Sequence, residues 1–341
     1  MKSKPGNLAT RGTSPDKTAS RTTPPLSQGT LGNGIKLHGV VPVMMLPLNP
    51  DESLDEKTFR RQVDFAIDSG AVAVCAPGFA TEFYKLSDRE KYRVAELLVE
   101  QTAGRAPVFI STGCGSTHAT MEFSRFAEKI GAQGLMVAAP KWCALGVKEM
   151  TTFYEAVCRS VSLPVMLQDA DFTGGGLPPK LFVDLAERCP NFLFAKLENL
   201  LPGAKCAEII RLSGGKLQVL YGLGGVAMID GLEHGATGMM PGSALVDVYV
   251  RIFQLWDSNR KEEAKAFFYR LQPYLVFALQ HLEVAIQIEK RVLVRRGIFP
   301  SDRLREPTLH LDDTYQQEME GLIERVMGLS QEVNPAAASA R

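Results

Sequence analysis

The run Asn191-Phe192-Leu193-Phe194-Ala195-Lys196-Leu197-Glu198 sets a lysine and a carboxylate two residues apart inside an apolar stretch. Side chains alternate between the two faces of an extended strand, so Phe194, Lys196 and Glu198 share one face. If that face meets solvent, the pair is an ordinary ion pair at a strand end. If it meets a closed interior, a lysine and a carboxylate stand together in an apolar cavity, where long charged side chains occur only when paired or used. Such a lysine has a specific chemistry. With an ordinary pKa of about 10.4, roughly one amine in a few thousand is neutral at pH 7, and only the neutral amine attacks a ketone. Desolvation makes more of it available, while an ionised Glu198 nearby favours the ammonium, so the two effects compete. Once an iminium forms, the same carboxylate stabilises its charge and can take a proton from the adjacent carbon.

These residues need a scaffold. From His38 onward short apolar runs alternate with amphipathic segments of helical length, the pattern of parallel strands joined by crossover helices. Strands are predicted at 39–45, 71–76, 108–112, 134–138, 165–168, 192–196, 217–221 and 237–240. Helices are predicted at 56–68, 88–102, 119–130, 148–160, 179–188, 204–212 and 226–233. Eight strands imply a closed α/β barrel, a (β/α)8 or TIM barrel. The pairs Gly70-Ala71, Gly131-Ala132 and Gly235-Ala236 each place a glycine where a helix ends in the left-handed conformation. Further helices at 246–256, 261–277, 282–296 and 314–327 carry no strand between them. The expected organisation is a disordered tail over 1–34, the barrel over 35–258, C-terminal helices packed on it over 259–330, and a second disordered tail over 331–341.

In such barrels the chemistry lies at the C-terminal ends of the strands. The polar groups there are Gly78-Phe79-Ala80-Thr81-Glu82, Lys141-Trp142, Gln168-Asp169, and Lys196 with Glu198. Over about 37–327, the order of elements, the Gly78-x-x-x-Glu82 loop, the strand-six lysine and Gly222 after strand seven resemble the dihydrodipicolinate synthase and N-acetylneuraminate lyase family. That resemblance implies a class I barrel acting on pyruvate or another 2-keto acid, with Lys196 as the Schiff-base lysine and no other cofactor. The family's Gly-Thr-Thr-Gly-Glu loop, which holds the keto acid's carboxylate, reads Gly-Phe-Ala-Thr-Glu here. The resemblance therefore assigns substrate binding to Phe79, Ala80 and Thr81, through backbone N–H groups and the Thr81 hydroxyl. Trp142, Gly222 and Leu223 complete the expected substrate contacts.

The departures from the family select among its chemistries. Its strand-five Tyr-Asn is Gln168-Asp169, its Tyr-Tyr pair after strand four is Lys141-Trp142, and its arginine after strand five falls on Thr173. An amide has no useful pKa for proton transfer, so Gln168 cannot replace a tyrosine, although it can hold a water. Glu198 is then the proton carrier nearest the iminium. The set Lys196, Glu198 and Gln168 resembles the dehydratase branch, typified by L-2-keto-3-deoxyarabonate dehydratase, which eliminates water from a 2-keto-3-deoxy sugar acid and releases 2-oxoglutarate semialdehyde. A class I aldolase that cleaves such an acid to pyruvate and an aldehyde, and a non-catalytic keto-acid-binding barrel, are the competing readings.

Other features exclude classes of function. The 38 basic and 38 acidic residues give a formal net charge of +0, so no global field recruits nucleic acid or an anionic membrane. Six scattered cysteines form no CxxC pair, and the five histidines show no ligand spacing, so no metal is expected. No apolar stretch reaches the roughly 18 residues of a membrane span, and with unpaired cysteines the chain is expected to be soluble and cytoplasmic. Gly222-Leu223-Gly224-Gly225 lacks full dinucleotide-binding spacing. Gly174-Gly175-Gly176 reads as a mobile loop over the site or a plain connection, and Glu289, Lys290, Arg291, Arg295 and Arg296 as a solvated or intersubunit helix face. The C-terminal helices suggest a homotetramer by the same resemblance.

Overall fold

The computed structural model describes residues 35–140, 145–172, 174–199 and 201–334. Eight parallel strands alternate with helices: β1 (Gly39–Val40), α1 (Glu56–Asp68), β2 (Val74–Ala76), α2 (Asp88–Thr102), β3 (Val108–Ser111), α3 (Thr117–Lys129), β4 (Gly134–Ala138), α4 (Val147–Ser160), β5 (Val165–Asp169), α5 (Pro179–Arg188), β6 (Phe192–Leu197), α6 (Pro202–Leu212), β7 (Gln218–Tyr221), α7 (Met228–Glu233), β8 (Gly238–Met239) and α8 (Val246–Asp257). The order β1-β8-β7-β6-β5-β4-β3-β2 is closed into a ring by a parallel bridge between Val43 and Cys75, with Met44 N donating to Cys75 O at 2.9 Å. The architecture is the (β/α)8 barrel that the alternation implies.

Local signals place the ends of these elements. Asp55 and Ser116 cap α1 and α3 by accepting backbone N–H groups, and Ser87 with Glu90 forms a reciprocal box on α2. The three helix-ending glycines all adopt the left-handed conformation, at φ 95, 92 and 91 for Gly70, Gly131 and Gly235. Each following alanine then donates back into the helix, as Ala71 N does to Ala66 O at 3.1 Å.

Along β6 every residue is buried, as a strand covered on both sides requires. Ala195 and Leu197 pack outward into the layer shared with the helices, whereas Phe194 points inward with Cys75, Phe109, Met136, Met166, Leu220 and Met240. Phe194 meets Phe109 edge-on, ring centres 5.6 Å apart, and forms the floor beneath Lys196.

Past the barrel come α9 (Lys261–Ala278), α10 (Leu282–Arg295) and α11 (Asp313–Val333). Helix α11 continues past the boundary expected at residue 330, because Leu329 and Ser330 are still buried and Ser330 Oγ bonds Asp247 at 2.9 Å. Of the face expected to be solvated on helix α10, Arg295 is exposed and Arg291 half-buried, but the rest is not solvated. Its Lys290 is fully buried and paired with Glu82 at 2.5 Å, its Glu289 is buried, and the Arg296 that follows is paired with Asp247 at 2.7 Å. Charge pattern alone misreads this segment, since the counterparts of Lys290 and Arg296 lie on distant elements.

Candidate active site

Strand β6 delivers Lys196 and Glu198 to the C-terminal mouth, where they are 3% and 6% exposed. The interior alternative for this pair is the one the fold realises. Lys196 Nζ lies 3.1 Å from Glu198 Oε1. Two further donors hold the carboxylate: Gln168 Nε2 to Oε2 at 2.6 Å, and Leu223 N to Oε1 at 2.9 Å. The three residues assigned to catalysis thus form one connected set, although Gln168 acts directly on Glu198. Both oxygens of Glu198 accept charge-assisted or neutral hydrogen bonds, which fixes the carboxylate beside the amine. The thiol of Cys75 faces the same interior, and burial pushes it up to about 12, so it stays protonated.

The loop after β7 is shaped around this carboxylate. A Cβ on Gly222 would stand 2.1 Å from Glu198 Oε1, so only glycine admits the side chain. Leu223 adopts a left-handed φ of 49, a conformation costly outside glycine, and this turns its N–H to Glu198. Gly222 therefore serves Glu198 and is not part of the cavity wall, whereas Leu223 is.

The cavity above Lys196 is about 100 Å³ and mostly apolar, bounded by Phe79, Ala80, Phe172, Met240 and Leu223 among others. Phe79 and Ala80 stand where the sequence places them. Among the described residues, no hydrogen bond engages either of their N–H groups. Thr81 is elsewhere. Its hydroxyl accepts from Gly78 N at 2.9 Å and donates to Met44 O at 2.6 Å, so it braces the loop and has no donor left for a ligand's carboxylate. Trp142 lies outside the described residues, as do Lys141 and Thr173.

Asp169, next to Gln168, points away from the cavity. It pairs with Lys205 and accepts from Leu177 N at 3.1 Å, and burial raises its carboxyl against the pull of that lysine. Lys205 also donates to Gly175 O at 2.8 Å, and Gly176 N to Asp171 Oδ2 at 3.0 Å. The glycine segment is thus tied down at Gly175 and Gly176, which the composition of the loop does not reveal.

The roof of the cavity comes from beyond the barrel. Leu282, Ala285, Ile286 and Glu289 line it from α10, at the spacing of one helix face. Glu289 was hidden in the sequence by the charged residues that follow it. The apolar spacing of 282, 285 and 286, which 289 completes, is the signal that exposes it. Glu82 anchors this roof to the loop after β2: Lys290 and Lys85 reach its two oxygens at 2.5 and 3.3 Å. Lys85 reaches on to Glu283 at 2.7 Å. Among the described residues no group of His, Cys, Asp and Glu side chains could hold a metal ion, and no helix is long and apolar enough to cross a membrane.

The chain is 28% identical over 295 residues to the L-2-keto-3-deoxyarabonate dehydratase of Azospirillum brasilense, covering 84% of this chain and 94% of the relative. It is also 28% identical over 299 residues to the 4-hydroxy-tetrahydrodipicolinate synthase of Xanthomonas campestris pv. campestris, covering 86% and 96%. Equal identity to two different activities leaves the choice of reaction to the site. The crystal structure of dihydrodipicolinate synthase from Rhodopseudomonas palustris superposes with a TM-score of 0.77 at 23% identity, over 85% of this chain and 97% of that one, which shows the shared fold. Residues 36–326 match the model of the dihydrodipicolinate synthetase family, and the chain belongs to that family of lyases.

Proposed function

We propose that this protein is a Schiff-base-forming hydro-lyase that removes water from a 2-keto-3-deoxy sugar acid, with L-2-keto-3-deoxyarabonate as the reference substrate. The observation that carries the reading is the Lys196–Glu198–Gln168 set, in which a buried carboxylate is held 3.1 Å from the amine by an amide donor. A proton acceptor fixed beside the nitrogen is also beside the carbon next to an iminium formed on it.

The steps follow from that placement. The Lys196 amine adds to the C2 ketone and water leaves, giving the iminium. The substrate carboxylate lies toward the backbone of Phe79 and Ala80. Glu198 removes a C3 proton, and the electron pair forms the enamine. The enamine expels the C4 hydroxyl, which takes a proton from an acid at the site and leaves as water, giving a conjugated iminium with a C3–C4 double bond. Hydrolysis frees Lys196, and tautomerisation of the product gives 2-oxoglutarate semialdehyde. No cofactor is needed, because the lysine supplies the electron sink.

Incubation with 2-keto-3-deoxypentonates tests the reading. The expected product is a semialdehyde, with borohydride reduction trapping an adduct on Lys196 by mass. Pyruvate plus an aldehyde would refute it in favour of an aldolase. Glu198→Gln is expected to keep the trappable adduct and lose turnover.

A further inference from the structure

Glu289 lines the same cavity as Glu198, from helix α10 and with its carboxylate beside Gly242 and Ala244, and the two are held differently. Glu198 accepts from Lys196, Gln168 and Leu223 N. Glu289 is 8% exposed and sits against Leu282, Ala285 and Ile286 of its own helix. Its one hydrogen bond among the described residues is from Ala244 N to Oε2 at 3.0 Å. Among those residues no lysine or arginine pairs with it. A buried carboxylate without a cation is costly when ionised, so the residue is retained against a penalty that an apolar side chain would avoid.

We infer that Glu289 is a second catalytic acid, which protonates the leaving C4 hydroxyl while Glu198 takes the C3 proton. The assignment rests on the dehydratase reading above and deepens it. As the enamine pair forms the C3–C4 double bond, the C4–O bond breaks and the Glu289 carboxyl gives its proton to the departing oxygen. Water leaves, and Glu289 remains as a carboxylate. It regains a proton from solvent, and Glu198 returns the C3 proton to solvent, before the next turnover. The net change is loss of one water from the substrate.

The surroundings suit that role. Burial pushes the Glu289 carboxyl up to about 7, so a large fraction is protonated near neutral pH. The charged groups that line the cavity with it are Lys196 and Glu198. On the helix side, the Tyr249 and Tyr274 phenols are driven well above their ordinary range by burial and by Glu289 itself, and stay neutral. Lys290, its neighbour in sequence, is turned to Glu82, and Arg296, near Ala244, is spent on Asp247. Two carboxyl groups in one cavity, one held by three donors and one in apolar surroundings with a single donor, divide base and acid work between them.

Glu289→Gln and Glu289→Asp separate the two half-reactions. Exchange of the pyruvate methyl protons in D2O, followed by NMR, needs Lys196 and Glu198 but no leaving-group acid. Glu289→Gln is expected to slow dehydration of 2-keto-3-deoxypentonates about 100-fold or more beyond any change in its pyruvate exchange. Wild-type kcat should fall as pH rises through about 7, and the residual activity of Glu289→Gln should lack that limb. Dehydration by Glu289→Gln at the wild-type rate would overturn the assignment. Loss of exchange together with dehydration in both variants would overturn it too, since Glu289 would then only shape the mouth. A wild-type protein that exchanges pyruvate but dehydrates no such acid refutes the dehydratase reading itself, and this assignment with it.

Discussion

Replacing Gly222 with alanine tests whether the position of Glu198 matters as much as its presence. The new Cβ would lie 2.1 Å from Oε1 and 2.5 Å from Cδ of Glu198, where ordinary contact begins near 3.4 Å. The carboxylate must therefore retreat by about 1 Å, since the far side of the contact is backbone that is also held by Gly222 N to Leu197 O at 3.0 Å. That retreat breaks the Leu223 N bond and lengthens the contact with Lys196, while leaving both catalytic side chains chemically intact. A misplacement of about 1 Å costs on the order of 100-fold in rate. Overpacking adds a stability loss of about 1–3 kcal/mol. The assay pairs borohydride trapping on Lys196 with pyruvate proton exchange and steady-state dehydration. Trapping should persist, while exchange and dehydration fall together by about 100-fold. A folded Gly222→Ala protein with both rates within about threefold of wild type would show that the fixed position of Glu198 is not what the proton transfer depends on.

Two further perturbations address stability. Burial raises Glu289 from 4.5 to about 7, so the folded state holds a proton that the unfolded chain releases between those values. Stability from this group is complete below pH 4.5 and is lost as pH rises through about 7, at about 3 kcal/mol in all. Urea unfolding at pH 5 and pH 8 should therefore show Glu289→Gln gaining about 2 kcal/mol on wild type between the two pH values, and parallel pH curves would contradict this. Lys290→Met leaves Glu82 buried with only the longer contacts to Lys85 and to Arg305 N, and should cost about 3–5 kcal/mol. The double variant Glu82→Gln, Lys290→Met should recover part of that loss in the same unfolding measurement, and an additive result would refute the pairing argument.

The barrel and its central pair are legible in the sequence because the rules that reveal them are local. Period-two alternation puts Phe194, Lys196 and Glu198 on one face, and Gly70, Gly131 and Gly235 punctuate helix ends through their own backbone conformation. What stays hidden depends on partners far along the chain. Nothing near Thr81 shows that Met44 O claims its hydroxyl, and nothing near Gly222 shows that its missing Cβ makes room for Glu198. The charges of α10 read as a surface because charge is usually solvated. The burial of Lys290 and Arg296 is set by the docking of that helix on the mouth, with Glu82 and Asp247 supplying the opposite signs. The family resemblance identifies Lys196 and Glu198 but is silent on Glu289, which lies outside the motifs that carry it.

The ion pair between Glu82 and Lys290 spans 208 positions of sequence. Contacts of that separation form late, because the intervening chain must be ordered before they repay its loop entropy. A chain synthesised only as far as the eighth strand would hold Lys196 in an open basin, with Glu82 lacking its Lys290 partner and with no α10 over the amine. Competence for the chemistry thus arrives with the last third of the polypeptide, and a half-made barrel is spared a reactive amine in a sealed pocket before there is a reaction for it to perform.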